Sequence, residues 1–210
     1  MMFNPLPALL LLIGAHLTTA HFAMTYPEWR GDSFKTQWTY PCGGVDTTAT
    51  TNRTLWPLNG GAIAFKPSHP WAQTYINLGL GAAVTRLNIT LVPTFNQTLN
   101  GTFCLPTVQL PTGVEVKEGD KATIQVVQLT TSGGALYNCA DIEFSSKAVA
   151  PANDVCFNST GVGAAPLNYG GIASATSDKA PAAPGKTNGA GNVIPGMSLV
   201  AAGVVAALMV

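Results

Sequence analysis

Charged residues are scarce in this chain of 210 residues and are absent from both of its ends. Ten basic and ten acidic residues all lie between Glu28 and Lys186, and the formal net charge at pH 7 is zero. The chain therefore lacks the basic excess that is typical of proteins that bind nucleic acid. The contrast between a charged centre and uncharged ends predicts one domain with a processing segment on either side.

Several catalytic motifs are missing as well. The sequence contains no phosphate-binding glycine loop, no paired-cysteine metal motif and no serine nucleophile elbow. It has only three histidines, and His16 lies in a segment that we expect to be removed. The two that remain, His21 and His69, leave little scope for a general-base triad, so we predict a protein that is not an enzyme.

The first twenty residues have the pattern of a secretory signal peptide. An apolar core is followed by small residues at Thr18 and Ala20, the positions before a signal cut. Cleavage after Ala20 makes His21 the first residue of the mature chain. A cut after Ala15 would expose His16 instead, but it would shorten the apolar core, and we favour the later site.

The C-terminal end is apolar from Met197 to Val210, which is shorter than the roughly 20 residues that a transmembrane helix needs. It follows a polar stretch that contains the small residues around Asn188. This layout predicts a glycosylphosphatidylinositol (GPI) signal over residues 189–210, with Asn188 as the attachment residue and the outer face of the cell membrane, or the cell wall, as the location. A short tail anchor or a core helix is the alternative.

Cysteines and glycosylation motifs agree with a secreted product. Four cysteines predict two disulfides in one of three pairings, and we favour Cys104 with Cys139 and Cys42 with Cys156. The second pair would join the end of the domain to its start and stabilise it by about 4 to 5 kcal/mol. Five asparagines lie in glycosylation motifs. They are Asn52, Asn88, Asn96, Asn100 and Asn158.

Short strands with turn signals dominate the charged region. Strands are predicted over Gly60–Pro67, Thr85–Phe95 and Ala135–Phe144, and a hairpin is predicted within Val114–Thr130. In the last strand Cys139 and Asp141 are two residues apart and therefore share a face. We predict an all-β protein, with an antiparallel β-sandwich over residues 21–160, two disulfides and a disordered stalk over 161–188 that is rich in small residues and proline.

An N-terminal histidine suggests metal binding, because one residue offers both an α-amine and an imidazole. His69 would add a second imidazole, and Asp141 would add an anionic oxygen. Three nitrogens in a T shape with an oxygen nearby favour Cu(II), whereas zinc would need the amine to complete its set. We therefore expect one copper ion at His21, His69 and Asp141.

Four stretches give the chain a family resemblance. These are HFAMTYPEWRG from His21, PCGG from Pro41, SHPW from Ser68 and YNCADI from Tyr137. Together they resemble the fungal copper acquisition factors, cell-surface proteins that are similar to lytic polysaccharide monooxygenases, over about residues 21 to 158.

The resemblance implies an immunoglobulin-like β-sandwich that holds one copper in a histidine brace, with His21, His69 and Asp141 as ligands. It also implies copper binding without polysaccharide cleavage, in copper acquisition or cell-wall copper homeostasis. A membrane copper importer or a wall polysaccharide would then be the partner. Two alternatives remain open: a copper-dependent lytic polysaccharide monooxygenase, and a structural GPI-anchored wall glycoprotein whose histidines are incidental.

Overall fold

The computed structural model describes residues 21–47 and 52–167. The predicted signal peptide, most of the predicted stalk, Asn188 and the predicted GPI signal lie outside these ranges. The described residues form strands, turns and bends without any α-helix. None of them therefore belongs to a helix long and apolar enough to cross a membrane.

Nine strands form two sheets in this part of the chain. They are β1 (Phe22–Tyr26), β2 (Thr54–Trp56), β3 (Gly60–Pro67), β4 (Trp71–Leu80), β5 (Ile89–Thr98), β6 (Phe103–Gln109), β7 (Lys121–Thr130), β8 (Ala135–Phe144) and β9 (Gly163–Ala165). One sheet has the order β1-β3-β6 and the other β2-β8-β7-β4-β5-β9. All neighbouring strands are antiparallel except β2 and β8, which are parallel.

The core lies between the two sheets and is built from large apolar side chains of both. Those of the small sheet include Phe22, Ile63, Phe65 and Phe103, and those of the large sheet include Trp56, Ile76, Ile124, Ile142 and Phe144. Alternate residues of β7 and β8 point into this core because side chains on a strand alternate between its faces. The predicted all-β, immunoglobulin-like sandwich with two disulfides is confirmed.

The strand predictions hold with two differences. Gly60–Pro67 and Ala135–Phe144 form strands with the predicted bounds, whereas only the C-terminal part of Thr85–Phe95 lies in β5. Of the hairpin predicted within Val114–Thr130, only the second strand forms, and it is β7. The residues just before β7 form a turn, in which the Asp120 amide donates to the Lys117 carbonyl. The large sheet also includes β9, which pairs with β5 and lies beyond residue 160.

The predicted disulfide pairing is wrong. Cys42 is bonded to Cys139, and Cys104 is bonded to Cys156. Cys139 lies on the face of β8 that is turned away from the core, and the loop that carries Cys42 covers this face. Cys104 lies on the outer face of the small sheet, beside the segment that carries Cys156.

Hydrogen bonds hold that segment along β6. The Cys104 amide donates to Asn158 Oδ1 over 2.7 Å, and the Ser159 amide donates to the Thr102 carbonyl over 2.9 Å. Each cysteine is therefore bonded to a segment that packs against its own sheet. Cys42 and Cys156 are consequently not partners, although together they would close the longest loop.

Candidate metal centre

Two histidines meet where the chain passes from one sheet to the other. His21 directly precedes β1, and His69 lies in the three-residue connection from β3 to β4. β1 and β3 are paired with Phe22 opposite Pro67, and one further step places His21 opposite Ser68. The structure thus brings the two predicted histidine ligands to the same place.

Ser68 fixes this pairing from both sides of His21. The Ser68 amide donates to the His21 carbonyl over 2.8 Å, and the backbone nitrogen of His21 donates to Ser68 Oγ over 2.9 Å. Ser68 Oγ also donates to the His21 carbonyl over 2.8 Å. The backbone of His21 is therefore held against the residue that precedes His69.

Three ring nitrogens of the pair are buried without a hydrogen-bond partner in the described part of the chain. They are Nε2 of His21 and both Nδ1 and Nε2 of His69. Buried polar atoms almost always have a partner, and each exception calls for an explanation. A metal ion is a common partner of neutral imidazole nitrogen, so these residues fit a metal.

The surroundings favour the neutral form of His69. Its side chain is buried, and this burial lowers the pKa of its imidazole, as does the charge of nearby His21. Gln128 acts in the opposite direction on the pKa of His69, because its side chain lies near the ring. Gln128 Oε1 has no hydrogen-bond partner among the described residues, so burial has the larger effect on the pKa of His69. A neutral imidazole is the form that binds a metal.

Two amide side chains fix the residue after His21. The Phe22 amide donates to Gln37 Oε1 over 3.1 Å, and Gln37 Nε2 donates back to the Phe22 carbonyl over 2.6 Å. Asn138 Nδ2 donates to the same carbonyl over 3.3 Å. Gln37 therefore binds the Phe22 backbone as a neighbouring strand would, on the edge of β1 that no strand covers.

The structure does not bring Asp141 to the histidines. Its carboxylate receives Arg30 Nε at 2.8 Å, Arg30 Nη2 at 2.9 Å and Thr123 Oγ1 at 2.7 Å. Burial alone would raise the pKa of Asp141, but the hydrogen bonds from Arg30 and Thr123 and the charges of Arg30 and Arg53 lower it overall. Asp141 is therefore the anion of a buried ion pair.

Strand geometry explains why Asp141 is separated from the pair. Asp141 shares the outer face of β8 with Cys139, as the sequence predicts, whereas Asn138 lies on the inner face and reaches Phe22. Within residues 21–47 and 52–167, no three His, Cys, Asp or Glu side chains form a group that could hold a metal. The predicted three-ligand set is therefore not formed, and the site consists of His21 and His69.

The residues that support the histidines were not found from the sequence. Gln37 lies in a loop without regular structure, and no motif distinguishes it from the other glutamines. Ser68 belongs to the SHPW stretch, and an extension of the β1–β3 register would have identified it. Arg30 belongs to the first quoted stretch, and its role as the partner of Asp141 depends on contacts between distant segments.

The five glycosylation motifs lie in different environments. Asn52, Asn88, Asn100 and Asn158 are exposed, and Asn96 is half-buried on β5. Asn96 Nδ2 donates to the Pro166 carbonyl over 3.4 Å. Asn158 uses Oδ1 to bind the Cys104 amide. The exposed positions are the more accessible acceptors for a glycan.

A disulfide-bonded β-sandwich in which His69 is buried beside the half-buried His21 is a candidate metal-binding domain, and comparison with known sequences specifies which kind. The profile described as "Copper acquisition factor BIM1-like" matches residues 19–161. The chain belongs to this family, and its function is related to copper.

Several named relatives match this chain over most of their length. The chain is 45% identical to the "Lytic polysaccharide monooxygenase-like protein ham-7" of Neurospora crassa, over 76% of this chain and 80% of the relative. It is 40% identical to the "Lytic polysaccharide monooxygenase-like protein X325" of Aspergillus fumigatus, over 84% and 87%. A protein of the same name from Hypocrea jecorina is 41% identical over 72% and 76%.

Proposed function

We propose that the mature chain begins at His21 and binds one copper ion through the α-amine and imidazole of His21 and the imidazole of His69. The observation that carries this proposal is the burial of three histidine ring nitrogens without a hydrogen-bond partner in the described residues. Bound copper would supply the missing partner. A site rich in nitrogen favours copper among the common divalent ions.

In this proposal the protein is a copper-binding module rather than an enzyme, and it serves copper acquisition or cell-wall copper homeostasis. It delivers copper as cargo, and a membrane copper importer is a candidate recipient. The family assignment supports the link to copper acquisition. A site with a small number of exchangeable ligands suits such a role, because the copper must leave the site as well as enter it.

The decisive experiment compares two forms of the protein, one beginning at His21 and one with an additional alanine before it. Both keep the two imidazoles, but only the first offers an α-amine on His21. We expect tight copper binding and the EPR spectrum of a nitrogen-rich Cu(II) site for the first form alone. At a free copper concentration of 100 times Kd, binding should raise its free energy of unfolding by about 2.7 kcal/mol. Equal binding by both forms would disprove the brace.

His69→Ala provides the second arm of this experiment. It removes the other imidazole while leaving the α-amine, and the affinity should fall strongly. If neither the His21 form nor its variants bind copper tightly, the structural wall glycoprotein is the better interpretation.

The rival function is oxidative polysaccharide cleavage, which the names of the relatives suggest. This rival predicts soluble oxidised oligosaccharides when the copper-loaded protein receives a reductant and peroxide. Our proposal predicts none from the wall polysaccharides of fungi.

We further propose that the protein acts at the outer face of the cell membrane, held by a GPI anchor. The support is the sequence pattern of residues 1–20 and 189–210. Phosphatidylinositol-specific lipase should release the protein from intact cells, and retention after treatment would count against the anchor.

A further inference from the structure

The turn between β5 and β6 is fastened to the connection that carries His69. The Leu99 amide donates to the Pro70 carbonyl over 2.6 Å, and the Gly101 amide donates to the Pro67 carbonyl over 3.3 Å. These two carbonyls flank Ser68 and His69 in the chain. Asn100, which lies between the two donors and is exposed, is therefore held beside the histidine pair.

The conformation of this turn is tightly specified. Gly101 has φ 134°, and a Cβ atom there would lie 2.8 Å from the side chain of Ser159. Leu99 has φ 59°, in the left-handed region, and its carbonyl accepts a hydrogen bond from Gln97 Nε2. The position of Asn100 relative to His69 is consequently set by the backbone.

A pocket of about 680 Å³ opens between this turn and the start of β1. Its lining includes His21, Phe22, Phe34, Lys35, Lys66 and Asn100. The Phe34 ring is 42% exposed and meets the His21 ring edge-on, with 5.6 Å between ring centroids. The apolar CH face of a sugar ring can pack against an exposed aromatic ring of this kind.

Asn100 is the one glycosylation motif of the five that lines this pocket. We propose that Asn100 carries an N-glycan whose first sugars lie against the pocket beside His21. The glycan screens the histidine pair from long polysaccharides and large chelators and leaves it open to a copper ion. The location of the glycan is inferred from the geometry of the turn alone, whereas the screening of copper also rests on the proposed function.

This arrangement gives a physical reason for copper binding without polysaccharide cleavage. A polysaccharide must lie along the surface around a metal to be oxidised by it. A covalently attached glycan is present at high effective concentration and occupies that surface first. A copper ion is small enough to reach the site past it.

The test compares Thr102→Ala with Thr102→Ser in protein secreted by a host that attaches N-glycans. The first variant destroys the motif at Asn100, and the second preserves it. Thr102 forms hydrogen bonds with Ser159 through its backbone amide and carbonyl, so both variants should fold. Glycopeptide mass spectrometry must find the glycan on Asn100 in the wild type and in Thr102→Ser, and an unmodified Asn100 would overturn the proposal.

Labelling of lysines by a bulky amine-reactive reagent then reports where the glycan lies. Lys35 and Lys66 line the pocket and are exposed, and we expect both to be labelled several-fold faster in Thr102→Ala. Lys117 and Lys121 lie elsewhere and should not change. Thr90→Ala, which removes the motif at Asn88, is the matched control and should leave all four rates unaltered. Equal labelling of Lys35 and Lys66 with and without the Asn100 glycan would overturn the proposal.

Copper extraction tests the screening separately. A bulky chelator should remove copper several-fold faster from Thr102→Ala than from Thr102→Ser, while the affinity for the free ion stays the same. Equal extraction rates would overturn the screening. Failure of the copper proposal would instead appear as absence of binding in both variants, with the lysine labelling still reporting on the glycan.

Discussion

At the scale of single residues, Gln37 is the main support of the candidate site. Its side chain is fully buried and exchanges two hydrogen bonds with the backbone of Phe22, the residue after His21. The α-amine and imidazole of His21 can share one metal with His69 only if the start of the chain is held beside His69. Gln37 is therefore a positioning residue for the proposed copper site.

Gln37→Ala should weaken copper binding without removing a ligand. The Phe22 amide would lose its partner in a buried position, which costs about 1 to 3 kcal/mol of stability. If this cost arises because the first residues of the chain lose their fixed position, copper affinity should decrease about tenfold for each 1.4 kcal/mol. The measurements are copper titration and denaturant unfolding of protein that begins at His21.

Ser145→Ala is the matched control for this variant. Ser145 is also buried, and its hydroxyl donates to the Glu118 carboxylate, away from Phe22 and from the loop that carries Gln37. It should lose stability but keep its copper affinity. Equal affinity losses in the two variants would show that Gln37 acts only through global stability.

The sequence identified the two histidines as candidate ligands because the chain contains so few histidines that hardly any other choice exists. It failed for Asp141 because strand periodicity relates residues of one strand, and His69 lies in a connection whose direction is set by packing. The shared face of Cys139 and Asp141 was predicted correctly. Whether this shared face points toward the core or away from it could not be predicted, because that depends on the loop that covers it.

At the scale of elements, the loop over residues 27–47 is joined to β8 by several independent contacts. Trp29 bridges to Ala140, the Arg30 amide donates to the Cys139 carbonyl over 2.7 Å, and the Tyr137 amide donates to the Gln37 carbonyl over 2.7 Å. The Cys42–Cys139 disulfide closes the far end of the loop. Since Gln37 belongs to this loop, the disulfide bond to β8 also supports the proposed copper site.

Removing each disulfide should have different effects on stability and on copper binding. In the chain-entropy model the Cys42–Cys139 bond, with a separation of 97 residues, stabilises the fold by about 4.7 kcal/mol. The Cys104–Cys156 bond, with a separation of 52, contributes about 4 kcal/mol. We expect Cys42→Ala with Cys139→Ala to lower both stability and copper affinity.

Cys104→Ala with Cys156→Ala should lower stability alone, because that bond fastens the terminal segment to the small sheet. Both double variants should be titrated with copper at low temperature, where the folded form predominates. An unchanged copper affinity after loss of Cys42–Cys139 would contradict the role of the loop.

The strands were predictable where their hydrophobic patterns are long and strong. β3 and β8 appear with their predicted bounds, whereas β2 and β9 have three residues each and are too short to show a period. The disulfide pairing was missed because cysteine spacing contains no information on which sheet each cysteine faces. Contacts between sheets decide that point.

For the molecule as a whole, the Arg30–Asp141 pair connects stability to pH. The pKa of Asp141 is lowered in the folded state, so the pair stabilises the protein above the unfolded pKa of roughly 3.9. This contribution disappears as the pH falls through the folded pKa, because the unfolded carboxylate then binds a proton first. Denaturant unfolding should show a decline in stability in that acidic range.

Asp141→Asn should lower stability by about 3 to 5 kcal/mol at neutral pH, since Arg30 is left buried without its anion. The double variant Arg30→Met with Asp141→Leu should recover much of this loss and should depend less on pH in the acidic range. Copper affinity measured at neutral pH should stay close to that of the wild type in the double variant. A large loss of copper affinity would instead indicate that Asp141 is a ligand of the metal.

The Cys42–Cys139 bond has a consequence for where the protein can become active. Such bonds persist in oxidising compartments and are rare in the cytosol. A chain kept in a reducing environment would lack the bond that steadies Gln37, and so would hold the start of β1 less firmly. Metal uptake at the proposed copper site would therefore depend on an oxidising compartment, and a chain in a reducing one would compete poorly for copper.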